Sequence, residues 1–153
     1  MDIKFELLLS AKLIMAMVLG SLIGIERERD QKNIGIRTFA SICLAACLFT
    51  AVSAHLTEDK SAVARIIAAV ATGLGFMGGG IIFRNRRNVP QGLTTAASLW
   101  TTSAVGIAIA LNMFVLAIVA TLTTFAILSV NRFKWYKRFV GDFINKSNPD
   151  EQT

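Results

Sequence analysis

Residues 71–106 read ATGLGFMGGGIIFRNRRNVPQGLTTAASLWTTSAVG, and this stretch decides the fold. Five glycines fall within eight residues, at Gly73, Gly75, Gly78, Gly79 and Gly80. In water each interior glycine costs a helix about 0.5–1 kcal/mol relative to alanine, so the run would be a poor helix. In a bilayer, small side chains let neighbouring backbones approach closely. That packing replaces the hydrophobic drive between helices that lipid does not supply. The stretch therefore predicts the tight centre of a membrane bundle. Glycines can also break a span, and broken spans turn freed backbone groups toward a cavity. At these five glycines a helix-packing site and a broken-helix site both stay open.

The rest of the chain agrees with a membrane setting. Of 153 residues, 54% are hydrophobic and 17% are charged, and the charges gather in clusters between apolar runs. That segregation marks transmembrane helices. The net charge of +6 comes from Lys and Arg flanking the apolar runs, so it reads as topology, and no nucleic-acid partner is expected. Cys43 and Cys47 share a helix face and read as packing residues. A redox pair or metal site would need further ligands, which the sequence does not place nearby. No nucleotide loop, ligand cluster or catalytic triad is visible, so neither a cofactor nor an enzymatic activity is expected. The first apolar run lacks a small-residue cleavage site before Glu26 and is expected to be retained.

Five spans follow from the apolar runs: about Glu6–Ile25, Thr38–His55, Ala62–Phe83, Leu93–Leu111 and Phe114–Val130. Lys12 interrupts the first and reads as snorkelling to the nearer interface. Gly20 and Gly24 form a small-xxx-small pair. Asn112 marks a tight turn. His55 reads as interfacial. The first loop carries four cations (Arg27, Arg29, Lys32, Arg37), the third carries three (Arg84, Arg86, Arg87) and the tail five (Arg132, Lys134, Lys137, Arg138, Lys146). The second loop has Lys60, with Arg65 just beyond, and the fourth has none. Cytoplasmic loops are the cation-rich ones. The expected fold is thus an all-α polytopic bundle of five transmembrane helices, N-terminus outside and C-terminus cytoplasmic. Residues 1–130 form the transmembrane domain. Residues 131–153 form a short basic tail, whose aromatic and cationic mix suits an amphipathic helix on an anionic surface.

Two groups of polar residues stand out. Glu26, Arg27, Arg37 and Arg65 lie at span ends. They read either as a solvated interfacial cluster or as an inward-turned polar network, with Arg65 also able to pair with Glu58 or Asp59. Thr94, Thr95, Thr101 and Thr102 bring hydroxyls into span four, where they can bond preceding carbonyls, join helices or line a path. The expected partners are the lipid bilayer and either a second copy or another membrane protein.

Five pieces occur in an order that resembles the membrane domain of the bacterial MgtC/SapB family. They are Gly20-Ser-Leu-Ile-Gly-Ile-Glu-Arg-Glu28, Gly35-Ile-Arg-Thr-Phe39, Ala64-Arg65, Thr72-Gly-Leu-Gly-Phe-Met-Gly-Gly-Gly80 and Gly92-Leu-Thr-Thr-Ala-Ala-Ser-Leu-Trp100. Ala69, Gln91, Ala110 and Asn112 depart from the family pattern, and the cytoplasmic domain of longer members is expected to be lacking. The resemblance implies a multi-pass protein of the bacterial inner membrane, linked to low-magnesium adaptation and virulence. It further implies action on membrane partners such as the proton-driven ATP synthase. The alternative is a transporter or channel for an ion or small solute, magnesium included. Magnesium favours carboxylate oxygens, and the acidic residues here are all in loops, at termini or at span ends.

Overall fold

The computed structural model describes residues 3–29, 34–84 and 88–130. Over these the chain is helical apart from one short ribbon. The helices are α1 (Ile3–Arg29), α2 (Ile36–Leu56), α3 (Lys60–Ile81), α4 (Leu93–Ala110) and α5 (Phe114–Ser129). Four are long and apolar enough to cross a membrane, and α5 is a shorter apolar helix of 16 residues. Between α3 and α4, where the sequence pattern reads as loop, strands β1 (Phe83–Arg84) and β2 (Pro90–Gln91) pair antiparallel. Arg86, Arg87 and the basic tail fall outside the described residues.

The helices run up and down. α1 and α2 form a hairpin whose far ends meet where Phe5 stacks on His55, ring centroids 3.7 Å apart. α3 and α4 form a second hairpin, with Gly78 facing Ala96. α4 turns into α5 through Asn112, which takes a left-handed φ of 63° as a tight turn demands. Gly92 opens α4 at φ 86°, and a side chain there would run into the carbonyl of Ile81. Only glycine meets both demands.

α4 is the axis. It touches all four other helices and is the most buried of the long ones. Its inner residues Leu99, Val105 and Ile109 close on Ile23 of α1 and on Phe39, Cys43 and Cys47 of α2. Close approach is achieved by three glycines. A Cβ added at Gly20 would lie 2.7 Å from Cys43 Cβ, and one at Gly24 would lie 2.6 Å from Ile36 Cα. One at Gly106 would overlap the Cys43 carbonyl. Lys12 fastens the opposite end, its Nζ donating to the Ala110 carbonyl at 2.9 Å. The end of α4 leaves carbonyls without helical partners, and the helix dipole favours a cation there. The half-buried ammonium thus reaches the end of the bundle at the last turn of α4.

The glycine run departs from expectation. α3 is continuous through Ile81, without a break at Gly78–Gly80. Nor is it the tight centre. Cβ atoms added at Gly73, Gly75, Gly79 or Gly80 would meet nothing within 4 Å. The reason is helical phase. Val70, Leu74, Gly78 and Ile81 turn inward at spacings of three and four, and among the five glycines only Gly78 shares that face.

Candidate functional site

The polar centre lies where the last turn of α1 meets the first turn of α4. Ala16, Gly20, Ile23 and Arg27 follow one another at four, three and four residues and are all buried. The stripe that packs α1 inward therefore ends in a guanidinium. Arg27 Nη2 donates to Thr95 Oγ1 at 2.8 Å, a buried bond joining elements 68 residues apart. Glu26 beside it is fully buried. A charge removed from water needs partners, and hydrogen bonds to charged groups are worth about 1.5–3 kcal/mol. Glu28 stays on the surface and ties α1 to α2, its Oε2 accepting from the backbone N–H of Ile36 at 3.1 Å. A carboxylate at a helix N-terminus complements the exposed N–H groups and the dipole.

The four charged residues singled out from sequence do not form one network. Arg37 is exposed. It sits two residues from buried Phe39, about 200° away around the helix, so the phase that buries Phe39 turns Arg37 out. Arg65 lies near the other end of α3, roughly 24 Å from the Ile81 end at helical rise. There its Nη2 is 3.8 Å from Asp59 and its Nη1 donates to Ser61 Oγ at 3.0 Å. The expected pairing of Arg65 with the acidic loop holds, whereas exposed Arg37 does not turn inward.

The hydroxyls of α4 also divide. Thr95 and Thr102 are buried, while Thr94 and Thr101 are exposed. Ser98 and Ser103, outside the expected set, join the buried pair. Ser98 Oγ donates to the Thr95 carbonyl at 2.8 Å, and Thr101 and Thr102 donate to the Ser98 carbonyl at 2.9 and 2.8 Å. These protons are committed to α4 itself, and Thr95 accepts from Arg27. Thr94 and Thr101 thus lie on one side of α4 and Thr95 and Thr102 on another. Among the described residues no three His, Cys, Asp or Glu side chains gather as a metal site would require.

The Arg27–Thr95 contact was not legible as a pair. The signal for half of it existed: Gly20, Gly24 and Arg27 share a helix face, so a small-residue stripe pointed at the right cation. Gly106 gave no comparable signal, since a lone glycine one turn from the end of a small-residue helix looks like its neighbours.

Residues 13–135 match the model of the MgtC family. The chain is 34% identical to Protein SrpB of Synechococcus elongatus over 142 residues, 85% of this chain and 77% of that protein. It is 39% identical to Protein MgtC of Salmonella typhimurium over 110 residues, covering 72% of this chain and 46% of that protein. An uncharacterized protein of Haemophilus influenzae is 37% identical over 124 residues, 76% of this chain and 52% of its own. The chain thus spans about half the length of the last two. No solved structure matches it.

Proposed function

The chain belongs to the MgtC family, and from that premise we propose that it is a non-catalytic regulator of a partner in the bacterial inner membrane. The reading places five spans across the bilayer, with the N-terminus outside and the C-terminus cytoplasmic. The cation-rich first and third loops support that orientation. By family resemblance the partner is the proton-driven ATP synthase or another membrane protein, and the setting is low-magnesium adaptation or virulence.

One observation carries the reading. Ala64, Ala68, Thr72, Gly75 and Gly79 are exposed at spacings of four, four, three and four. They form a small-residue seam on the outer face of α3, and among the described residues nothing lies within 4 Å of a Cβ added at Gly75 or Gly79. Such a seam admits a second helix at close range. Since the glycines weaken the helix without serving the internal packing, an external neighbour gives them a role.

The test is site-directed cross-linking in membranes. Gly75→Leu and Gly79→Leu should abolish self- or partner-association while insertion persists. Gly78→Leu is unsuited, because it would also strike Ala96. Cross-linking unchanged in both variants would refute the reading.

A further inference from the structure

Beside the seam, on another side of α3, a lateral groove of about 460 Å³ runs between α2 and α3. Phe49 and Ala46 wall it from α2, Ala69, Gly73 and Met77 from α3, and Ser103 is its single polar contributor. Ala69, Gly73 and Met77 are spaced by four, so they form one ridge of the helix. The same ridge continues one turn further to Arg65. A basic side chain therefore stands in line with an apolar trough.

We propose that this groove binds a zwitterionic phospholipid, its acyl chain along α3 and its headgroup on the Arg65–Asp59 pair. Three features select that occupant. The first is volume. A methylene takes about the space of a water molecule, about 30 Å³, so 460 Å³ holds roughly 15 carbons in line. The second is length. Arg65 to Met77 covers about 18 Å at the helical rise, which suits an extended chain of that size. The third is charge. Arg65 and Asp59 side chains are 70% and 55% exposed, so both stay open to a headgroup. Ser61 engages one of the guanidinium's five donors and the Asp59 carboxylate stands 3.8 Å from Nη2, beyond hydrogen-bond reach, so donors remain for a phosphate. The Asp59 carboxylate beside it complements a headgroup amine. The bound lipid would wedge α3 against α2.

The full chain, purified in mild detergent, is incubated with phosphatidylethanolamine or phosphatidylglycerol and examined by native mass spectrometry. One phosphatidylethanolamine per chain should persist under collisional activation, in preference to phosphatidylglycerol. Gly73→Leu has room for its side chain, since nothing lies within 4 Å, and would fill the trough. It should lower retention about tenfold, as should Arg65→Gln through loss of a charge-assisted bond. Ala69→Leu gives a second filled groove should Gly73→Leu not fold, with far-UV circular dichroism as the check. Gly75, about 200° around the helix from Gly73, serves as control, and Gly75→Leu should retain lipid. Equal retention in all variants would overturn the proposal. So would equal affinity for both lipids, or a dimer that Gly73→Leu abolishes and Gly75→Leu spares. Failure of the seam would show in the Gly75 and Gly79 cross-links alone, so the two readings fall separately.

Discussion

The packing centre can be tested by asking which glycines tolerate a methyl group. Gly106→Ala places a Cβ into the Cys43 carbonyl and 3.1 Å from the Cys47 backbone nitrogen, inside ordinary van der Waals contact. Neither neighbour is the end of a flexible side chain, so α2 and α4 must separate. Overpacking of this kind costs about 1–3 kcal/mol, and the gain in helix propensity offsets only about 0.5–1 kcal/mol of it. The net expectation is a loss of roughly 0–2.5 kcal/mol, centred a little above 1 kcal/mol because the overlap is with backbone that cannot turn aside. Gly73→Ala and Gly79→Ala meet nothing within 4 Å, so only the propensity gain remains, about 0.5–1 kcal/mol of stabilisation each. The two classes should therefore move in opposite directions and differ by about 2 kcal/mol, roughly thirtyfold in the unfolding equilibrium. Titration of the micelle-bound protein with dodecyl sulfate, followed by far-UV circular dichroism, measures this. If Gly106→Ala is as stable as the parent, or if Gly73→Ala loses as much as Gly106→Ala, the tight interface is not between α2 and α4.

Three further outcomes are expected. Thr95→Val removes one acceptor of buried Arg27 and should cost about 1–3 kcal/mol, whereas exposed Thr94→Val should change little; equal losses in the same titration would refute the assigned contact. Asp59 caps α3 by accepting from Ser61 N–H at 2.8 Å and Ser61 Oγ at 2.9 Å, and these bonds hold its pKa below the ordinary carboxylate value. A depressed folded pKa means its stabilisation is complete above about pH 4 and fades as pH falls through the lower folded value. Melting curves from neutral to acid pH should lose that component in Asp59→Asn; an unchanged acid limb would count against it. Liposomes holding the purified protein should pass no Mg²⁺, K⁺ or H⁺ beyond empty vesicles, and a flux abolished by Thr95→Val would revive the transport alternative.

The five helices were legible because long apolar runs bounded by charge admit few other readings, and each observed helix begins and ends within a few residues of its expected span. What lay beyond the sequence was rotation. A glycine count says that a backbone can approach, but not from which side. Gly20 and Gly24 carried the same signal as Gly75 and Gly79, yet only the first pair faces its own chain. Arg27 and Arg37 flank the same loop with the same chemistry. The burial of Ile23 on one helix and Phe39 on the next turns one in and the other out. Partners such as Thr95 for Arg27 and Ala110 for Lys12 depend on how two hairpins dock, which no local pattern encodes.

That rotational order also bears on what surrounds α3. In water the most apolar helix would sit inside. Over the most apolar 18 residues of each, α4 has the lowest mean hydropathy of the four long helices and is buried over 61% of that stretch, while α1, with the highest, is buried over only 22%. Such inversion is expected where lipid covers the outside and small or polar residues join helices within. α3 breaks the trend. Over its most apolar 18 residues its mean hydropathy is below those of α1 and α2, yet that stretch is the least buried, at 11%. Were acyl chains its whole surroundings, selection for contact with lipid should have made it at least as apolar as α1. Small residues at the seam and an arginine at the head of the groove are ill suited to bulk hydrocarbon but suited to a closely packed helix and to an ordered lipid. Both proposals thus draw on one imbalance: the helix least covered by its own chain is not the one best made for plain lipid.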